Sequence, residues 1–345
     1  MNKRIEKKAY AKINLCLDVT GRRSDGYHTV DMIMQQIELH DDVIIEAIDA
    51  KRSEKISLNV KDIRNDLKGY STIEKNAIPE DSNNLMYRAA ELMKRSYGIS
   101  EGIAMSLTKR IPSQAGLGGG SADAAAVFKG INELFELGAS DEELMKLSAG
   151  LGSDIPFCII GGTARAEGTG TDITVLRSLA EHSGSIEAFP QYLLLIKPDM
   201  GGSTPRIYAA YDSAEQRLSD KIRHPDTAKL THAVDRLQGA ALRQIFSENN
   251  INVLEYAVRP AKAFNEKEEH THAGTNEIIG FLKEKLMENG AFAASMTGSG
   301  SVVYGLFDKR EQLERAADAM AEISAENGMV SIIETRLFDA SVLEK

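Results

Sequence analysis

Four glycines fall within five residues at Gly116-Leu117-Gly118-Gly119-Gly120, with Pro112 ahead of them and Ser121-Ala122-Asp123 behind. Glycine permits positive φ and lets a backbone come close to a ligand. Where such a loop feeds a helix, it presents unpaired N–H groups and the positive end of the helix dipole, which suits a polyphosphate. The plainer reading is a tight turn leading into a capped helix, but this density of glycine favours phosphate. It is not a Walker A loop, because no Gly-Lys-Ser/Thr follows. A dinucleotide fingerprint fails on its spacing and on the absence of alternating strands and helices around it.

If phosphate is held there, the remaining requirement for transfer to an alcohol is small: positioning, charge neutralisation and a group to take the hydroxyl proton. A carboxylate can take that proton, and a neighbouring ammonium can hold it ionised. Asp154, in Gly150-Leu151-Gly152-Ser153-Asp154-Ile155-Pro156-Phe157, stands between small residues and a proline at a sharp reversal, so it can be aimed into a cleft. Lys12 is the candidate ammonium. Taken singly, Asp154 could equally cap a helix or turn, and Lys12 could be an edge-strand lysine facing water. Asp25-Gly26-Tyr27-His28 is a turn followed by an aromatic and an imidazole. Tyr27 could stack on a planar ligand and His28 could hydrogen-bond its edge, against the alternative of a structural histidine beside a turn. Met296-Thr297-Gly298-Ser299-Gly300-Ser301 is either a second backbone approach to ligand or a tight connection. His270 and His272 lie in a charged stretch without partner cysteines, and no metal is assigned to them.

The elements that must position these groups can be read from periodicity. Residues 9–19 alternate as a strand, with Ala11, Ile13, Leu15 and Leu17 on one face and Lys12, Asn14 and Cys16 on the other. Gly21–Gly26 is turn chemistry, and strand character returns at Met32–Leu39 and Val43–Ala47. Residues 49–82 are mixed and charged and read as an insertion. Asn84–Tyr97 has helical spacing with Gly98 as its stop, Ile103–Lys109 is a strand, and Ser121–Leu137 is a helix ended by Gly138. Ser140 opens a capping box for a helix to about Ala149. Strands are expected at Ile159–Glu167, Tyr192–Ile196 and Val302–Phe307. Helices are expected at Pro205–Ala214, Leu242–Phe246, Asn276–Asn289 and Lys309–Glu326. Glu266–Asn276 reads as a solvated loop. The length of 345 residues suggests two domains, with a boundary in the irregular Ala180–Pro190 that gives 1–180 and 181–345.

The net charge of −10 argues against bulk affinity for nucleic acid or an anionic membrane, without excluding a local anion site. The only cysteines, Cys16 and Cys158, sit in apolar tripeptides and read as buried thiols, neither a disulfide nor a zinc site. The basic N-terminus is not followed by an unbroken apolar stretch, and no run approaches a spanning helix. The expected compartment is the cytosol.

Taken together, the motifs resemble those of the GHMP kinases, the group of galactokinase, homoserine kinase and mevalonate kinase. Pro112–Asp123 resembles their ATP loop, Ala11-Lys12-Ile13-Asn14-Leu15 their N-terminal segment, and Met296–Ser301 their C-terminal glycine motif. Gly21-Arg22-Arg23 with Asp25-Gly26-Tyr27-His28, Leu151–Phe157 and Pro198…Ser203-Thr204 resemble the branch acting on a cytidine diphosphate-linked sugar alcohol in non-mevalonate isoprenoid synthesis. The resemblance implies an α+β fold of two domains with the site in the cleft between them. It implies Lys12 and Asp154 as the catalytic pair, ATP accompanied by magnesium, and a small-molecule acceptor. ATP would be held by Asn84, near the adenine, and by Pro112, Gly116, Leu117, Gly118, Gly119, Gly120, Ser121 and Ala122. The acceptor would be held by Asn14, Tyr27, His28 and Thr204, with Tyr27 and His28 at the cytosine.

Three departures stand out. Ala122 replaces a second serine after the glycines, Asn252-Val253-Leu254-Glu255 has valine where the family pattern has aspartate, and the segments near 49–80 and 260–275 lengthen the chain. Two other readings therefore stay open: a GHMP kinase for a different alcohol, and a non-catalytic metabolite-binding protein on the same fold.

Overall fold

The computed structural model describes residues 3–48, 56–64, 77–180, 189–198, 203–236, 239–257, 277–327 and 330–338. Most of the segment expected as an insertion, the stretch 260–275 and the core of the expected domain boundary lie outside these residues.

The chain opens with a long antiparallel hairpin, β1 (Arg4–Arg22) and β2 (His28–Ile48), closed by a turn in which Gly26 takes φ 90°. The turn expected at Gly21–Gly26 is present, but the break expected after Leu39 is absent: one strand replaces the pair expected at Met32–Leu39 and Val43–Ala47. Bulges after Tyr10, Asn14 and Val19 bend β1 and reset its alternation, so Ile13, Leu15, Cys16 and Leu17 are all buried. The other edge of β2 is shared by β4 (Gly102–Lys109) and β5 (Thr163–Glu167). Edge strands β3 (Ile56–Asp62), parallel to β4, and β6 (Asp172–Val175) complete a six-stranded sheet. A second, four-stranded antiparallel sheet runs β10-β7-β9-β8, from β7 (Tyr192–Pro198), β8 (Ala293–Met296), β9 (Val303–Phe307) and β10 (Val330–Arg336).

Helices α1 (Leu85–Tyr97), α2 (Gly119–Leu134), α3 (Asp141–Ser148) and α4 (Ile155–Ile160) bury one face of the first sheet. Asn84 caps α1 through Met86 N–H, Gly98 ends it in the left-handed conformation, and the capping box of Ser140 and Glu143 opens α3. Helices α5 (Thr204–Leu218), α6 (Thr227–Arg236), α7 (Gly239–Asn249), α8 (Glu277–Glu288) and α9 (Arg310–Asn327) belong to the second half.

Two expectations are corrected. Helix α2 stops at Leu134, before Gly138, because Asn132 holds both the N–H and the carbonyl of Ala139 through its amide. Residues 155–160 are helical where a strand was expected to begin by Ile159, since Pro156 pre-sets the first turn; Ile155, Pro156, Phe157 and Ile159 are buried. The apolar run alone does not distinguish the two states.

The core is not divided along the sheets. One buried cluster joins Leu17, Met32 and Met34 of the first sheet to Leu194, Ile196, Met296 and Val303 of the second. Another joins Ile13, Leu15 and Ile33 to Leu193, Leu195 and Tyr304. Cys16 lies inside this second cluster, and burial pushes its thiol up to about 12. No helix among the described residues is long and apolar enough to cross a membrane.

Candidate active site

Lys12 is not an edge lysine facing water. It follows a β1 bulge, is 3% exposed, and its backbone N–H donates to Leu117 O in the glycine loop at 3.0 Å. Its Nζ donates to Asn14 Oδ1 at 2.9 Å and lies 3.4 Å from Asp154 Oδ2. Asp154 occupies the N-cap position of α4 but makes no capping hydrogen bond, and its side chain is 26% exposed. A carboxylate at that position would ordinarily accept from the helix's own N–H groups. Here it is turned to the lysine and left partly open, as an acid aimed into a cleft must be.

The glycines are required by close approach. A Cβ on Gly116, at φ 75°, would stand 2.0 Å from Thr297 O, and one on Gly118, at φ 68°, 3.0 Å from Lys12 Cγ. Gly118 is the N-cap of α2 and brings no side-chain cap, so the first N–H groups of that helix face outward with the positive dipole end. The Ser121 hydroxyl lies beside the Asp154 turn, 3.8 Å from where a Gly152 Cβ would be. Ala122 is buried, as is Pro112 at the loop's start. Leu85, next to Asn84, packs 3.7 Å from the Gly120 Cβ position, which sets the start of α1 against the loop. The Asn84 side chain itself is engaged, accepting from Met86 N–H and donating to Pro79 O.

Met296–Ser301 is the backing of this loop. The Thr297 hydroxyl donates to Gly116 O at 3.2 Å and accepts from Asn14 N–H at 3.0 Å, and a Cβ on Gly298 would stand 3.3 Å from Lys12 Nζ. Behind it stand two residues of the Asn252–Glu255 motif, to which the sequence reading gave no role of their own. Asn252 donates to Met296 O at 2.9 Å and Gly298 O at 2.8 Å, while Glu255 accepts from Met296 N–H at 2.9 Å and from Lys283 at 2.6 Å. Val253, the departure from the family pattern, is fully buried in the apolar cluster between them, so the polar brace is complete without an aspartate there.

Beneath the start of α2, Lys109 Nζ meets Asp41 Oδ2 and Asp123 Oδ2 at 2.6 Å each, all three residues being buried. Burial pulls the Lys109 ammonium down, yet the two carboxylates outweigh it and its pKa is raised. Burial pushes Asp123 well above the usual carboxylate range against the opposing Lys109 charge. A Cβ on Gly119 would stand 3.1 Å from Lys109 Nζ, so this cluster sets the height of the first helical turn.

At the hairpin turn, Tyr27 is 69% exposed, the most exposed large apolar side chain among the described residues. His28 packs on Tyr208 of α5 with ring centroids 4.9 Å apart, and its Nε2 is 2.6 Å from Asp212 Oδ1. Burial pushes the Tyr208 hydroxyl up, and the Asp154 charge adds to this. Tyr208 and Asp212 were missed as site residues, although their i, i+4 spacing in an expected helix puts them on one face. Thr204, at the start of α5, pairs with the Ser299 hydroxyl at 3.0 Å. The structure thus gathers Lys12, Asn14, Asp154, the glycine loop and residues 296–301 in direct contact. His28 forms a second patch with Tyr208 and Asp212 of α5, next to the exposed Tyr27. Asn14 is fully buried and reaches the site through Lys12.

A nucleotide's phosphates fit the cradle of glycines and helix N–H groups. For magnesium, the described residues contain no group of three or more acidic, His or Cys side chains able to hold a metal ion. The protein oxygens beside the glycine cradle that could reach an ion on bound phosphates are the Ser121 hydroxyl and the Asp154 carboxylate.

The family model of the GHMP kinases N terminal domain matches residues 84–162, and that of the GHMP kinases C terminal matches residues 259–325. A 4-diphosphocytidyl-2-C-methyl-D-erythritol kinase of Clostridium acetobutylicum is 40% identical over 308 residues, covering 89% of this chain and 92% of that one. The enzyme of the same name from Caldicellulosiruptor saccharolyticus is 35% identical over 96% of this chain and 98% of its own. A crystal structure of 4-(cytidine 5'-diphospho)-2C-methyl-D-erythritol kinase superposes with a TM-score of 0.65 at 26% identity, covering 96% of this chain and 99% of that chain. The L. major mevalonate kinase shares the fold, with a TM-score of 0.64 at 15% identity over 98% of both chains. The chain belongs to the GHMP kinase family, alongside its 4-diphosphocytidyl-2-C-methyl-D-erythritol kinases.

Proposed function

We propose that this chain transfers the γ-phosphoryl group of ATP to the 2-hydroxyl of 4-diphosphocytidyl-2-C-methyl-D-erythritol, a step of non-mevalonate isoprenoid synthesis, in the cytoplasm. The observation that carries the reading is the buried Lys12 held 3.4 Å from a partly open Asp154, directly beneath the glycine cradle. Asp154 takes the hydroxyl proton as that oxygen bonds to the γ-phosphorus. The bond to the bridging oxygen breaks and ADP leaves. Lys12 stands beside the charge that develops on the equatorial oxygens, and the α2 N–H groups and Gly116–Ser121 hold the transferring chain of phosphates in line. Magnesium supplies charge neutralisation between phosphates when bound. Asn14 fixes the Lys12 ammonium, and Tyr27 stacks on the cytosine that His28 meets at its edge. Thr204 lies on the acceptor side of the cleft, and Asn84 helps set the adenine end through the start of α1. We place the ATP-binding domain at 1–180 and the C-terminal domain at 181–345.

A coupled ADP-release assay with Mg·ATP and the cytidyl acceptor tests this, with mevalonate, homoserine and galactose as comparators. Turnover with the cytidyl compound alone is the expected result. Turnover with a comparator instead would keep the chemistry and reject the acceptor, and silence with all four would reject catalysis. In the same assay Tyr27→Ala should raise KM for the cytidyl acceptor about tenfold, from loss of base stacking, and leave KM for ATP unchanged. Equal change in both would remove Tyr27 from base binding.

A further inference from the structure

Asp212 reaches from α5 to the β1–β2 turn and holds two partners at once. Its Oδ1 is 2.6 Å from His28 Nε2, and its Oδ2 accepts from Arg22 Nη1 at 3.2 Å. A carboxylate only accepts, so Nε2 must carry its proton. His28 Nδ1 has no hydrogen-bond partner among the described residues, although the ring is only 11% exposed and packs at a tilt against Tyr208. In the neutral ring that leaves Nδ1 as a bare acceptor, in the patch that also presents Tyr27.

We propose that Asp212 is a specificity-determining positioning residue that sets His28 in the tautomer able to accept from an exocyclic amine on the substrate's base. The inference rests on the nucleobase reading of Tyr27 and His28 and deepens it. Cytosine offers an amine at the position where uracil offers a carbonyl oxygen. Against Nδ1 the amine makes a hydrogen bond, whereas the carbonyl meets a second acceptor and both are left unsatisfied. Leaving such a partly buried pair unmade costs about tenfold to a hundredfold in affinity. Arg22 fixes the sense of the device. In Asp212→Asn the guanidinium would keep the amide oxygen on its own side, turning the amide N–H toward His28 Nε2. Nε2 would then have to accept, Nδ1 would carry the proton, and the preference would move toward a carbonyl.

The test has two readouts. Nitrogen-15 shifts of the His28 ring report the tautomer directly: Nε2–H is expected in the unmodified protein and Nδ1–H in D212N. Turnover with cytidine- and uridine-diphosphate-linked acceptors gives the ratio of kcat/KM, expected to fall at least tenfold in D212N with nucleotide affinity unchanged. Arg22→Ala combined with D212N frees the amide to rotate and should restore both the Nε2–H tautomer and most of the ratio. A parent protein in the Nδ1–H form, or a D212N ratio equal to the parent's with the tautomer switched, overturns the proposal. Failure of the parent protein to use the cytidyl acceptor would instead reject the functional reading, while the ring shifts would still decide whether Asp212 sets the tautomer.

Discussion

Adjacent glycines, Gly118 and Gly119, each lie over a lysine paired with carboxylate, and the two constellations differ in nearly every respect. Lys109 is gripped by Asp41 and Asp123 at 2.6 Å each, with none of the three side chains more than 5% exposed. Lys12 stands at 3.4 Å from a single carboxylate that is 26% exposed, and shares its ammonium with the neutral Asn14 amide. The first cluster is closed on all sides and bonded to the backbone as well, through Ile111 N–H and Arg110 N–H to Asp41 Oδ1. The second keeps a carboxylate oxygen available and its geometry loose enough to exchange partners. Sealed and short is what holding a helix in place requires. Open and longer is what receiving a proton requires.

The largest effect should come from the open pair. Asp154→Asn keeps the shape and removes the proton acceptor, so kcat should fall by about 10²–10⁴-fold with nucleotide binding nearly intact. Unchanged turnover would strip Asp154 of its role and erase the contrast. The closed cluster should answer in stability instead. Lys109→Met leaves two facing carboxylates without their cation, and urea unfolding should show a loss of about 3–5 kcal/mol. A loss below about 1 kcal/mol would mean that the cluster behaves as a surface pair and does not hold α2.

A smaller change sharpens the point. Asp123 Oδ1 is buried with no hydrogen-bond partner among the described residues, and one lysine faces two acids. Because its folded pKa is raised, Asp123 favours folding below the unfolded value of about 4 and loses that contribution as pH rises through the raised value. Asp123→Asn abolishes this titration. Its stability relative to the parent protein should therefore improve with rising pH across that window, by at most about 1.4 kcal/mol per unit. A difference between the two that does not vary with pH would contradict it.

Part of this arrangement is legible in the sequence. The glycine loop stands out because close backbone approach leaves a mark in residue type, whereas Lys12, Asp154 and the 296–301 motif gain weight only when read together with it. The closed cluster does not stand out, since Asp41, Lys109 and Asp123 are ordinary charged residues whose partnership depends on β2 and β4 pairing beneath α2. Asn252 and Glu255 were visible only as part of a motif judged by its missing aspartate. Their carbonyl and N–H partners at Met296 and Gly298 are set by tertiary folding. Short strands such as β8, Ala-Ala-Ser-Met, are buried on both faces and carry no alternation to read. The helix at 155–160 failed for the converse reason, a run of β-branched and aromatic residues whose proline decides the matter.

The apolar clusters that run from Leu17, Met32 and Ile33 to Leu194, Leu195 and Met296 bear on how this chain can be taken apart. A fragment ending near residue 180 would keep every strand of the first sheet yet expose the underside of its longest hairpin. Such a fragment is expected to aggregate or stay molten when expressed alone. Co-expressed with the remainder, it should assemble into a working split enzyme, because the missing half supplies the other wall of a single core.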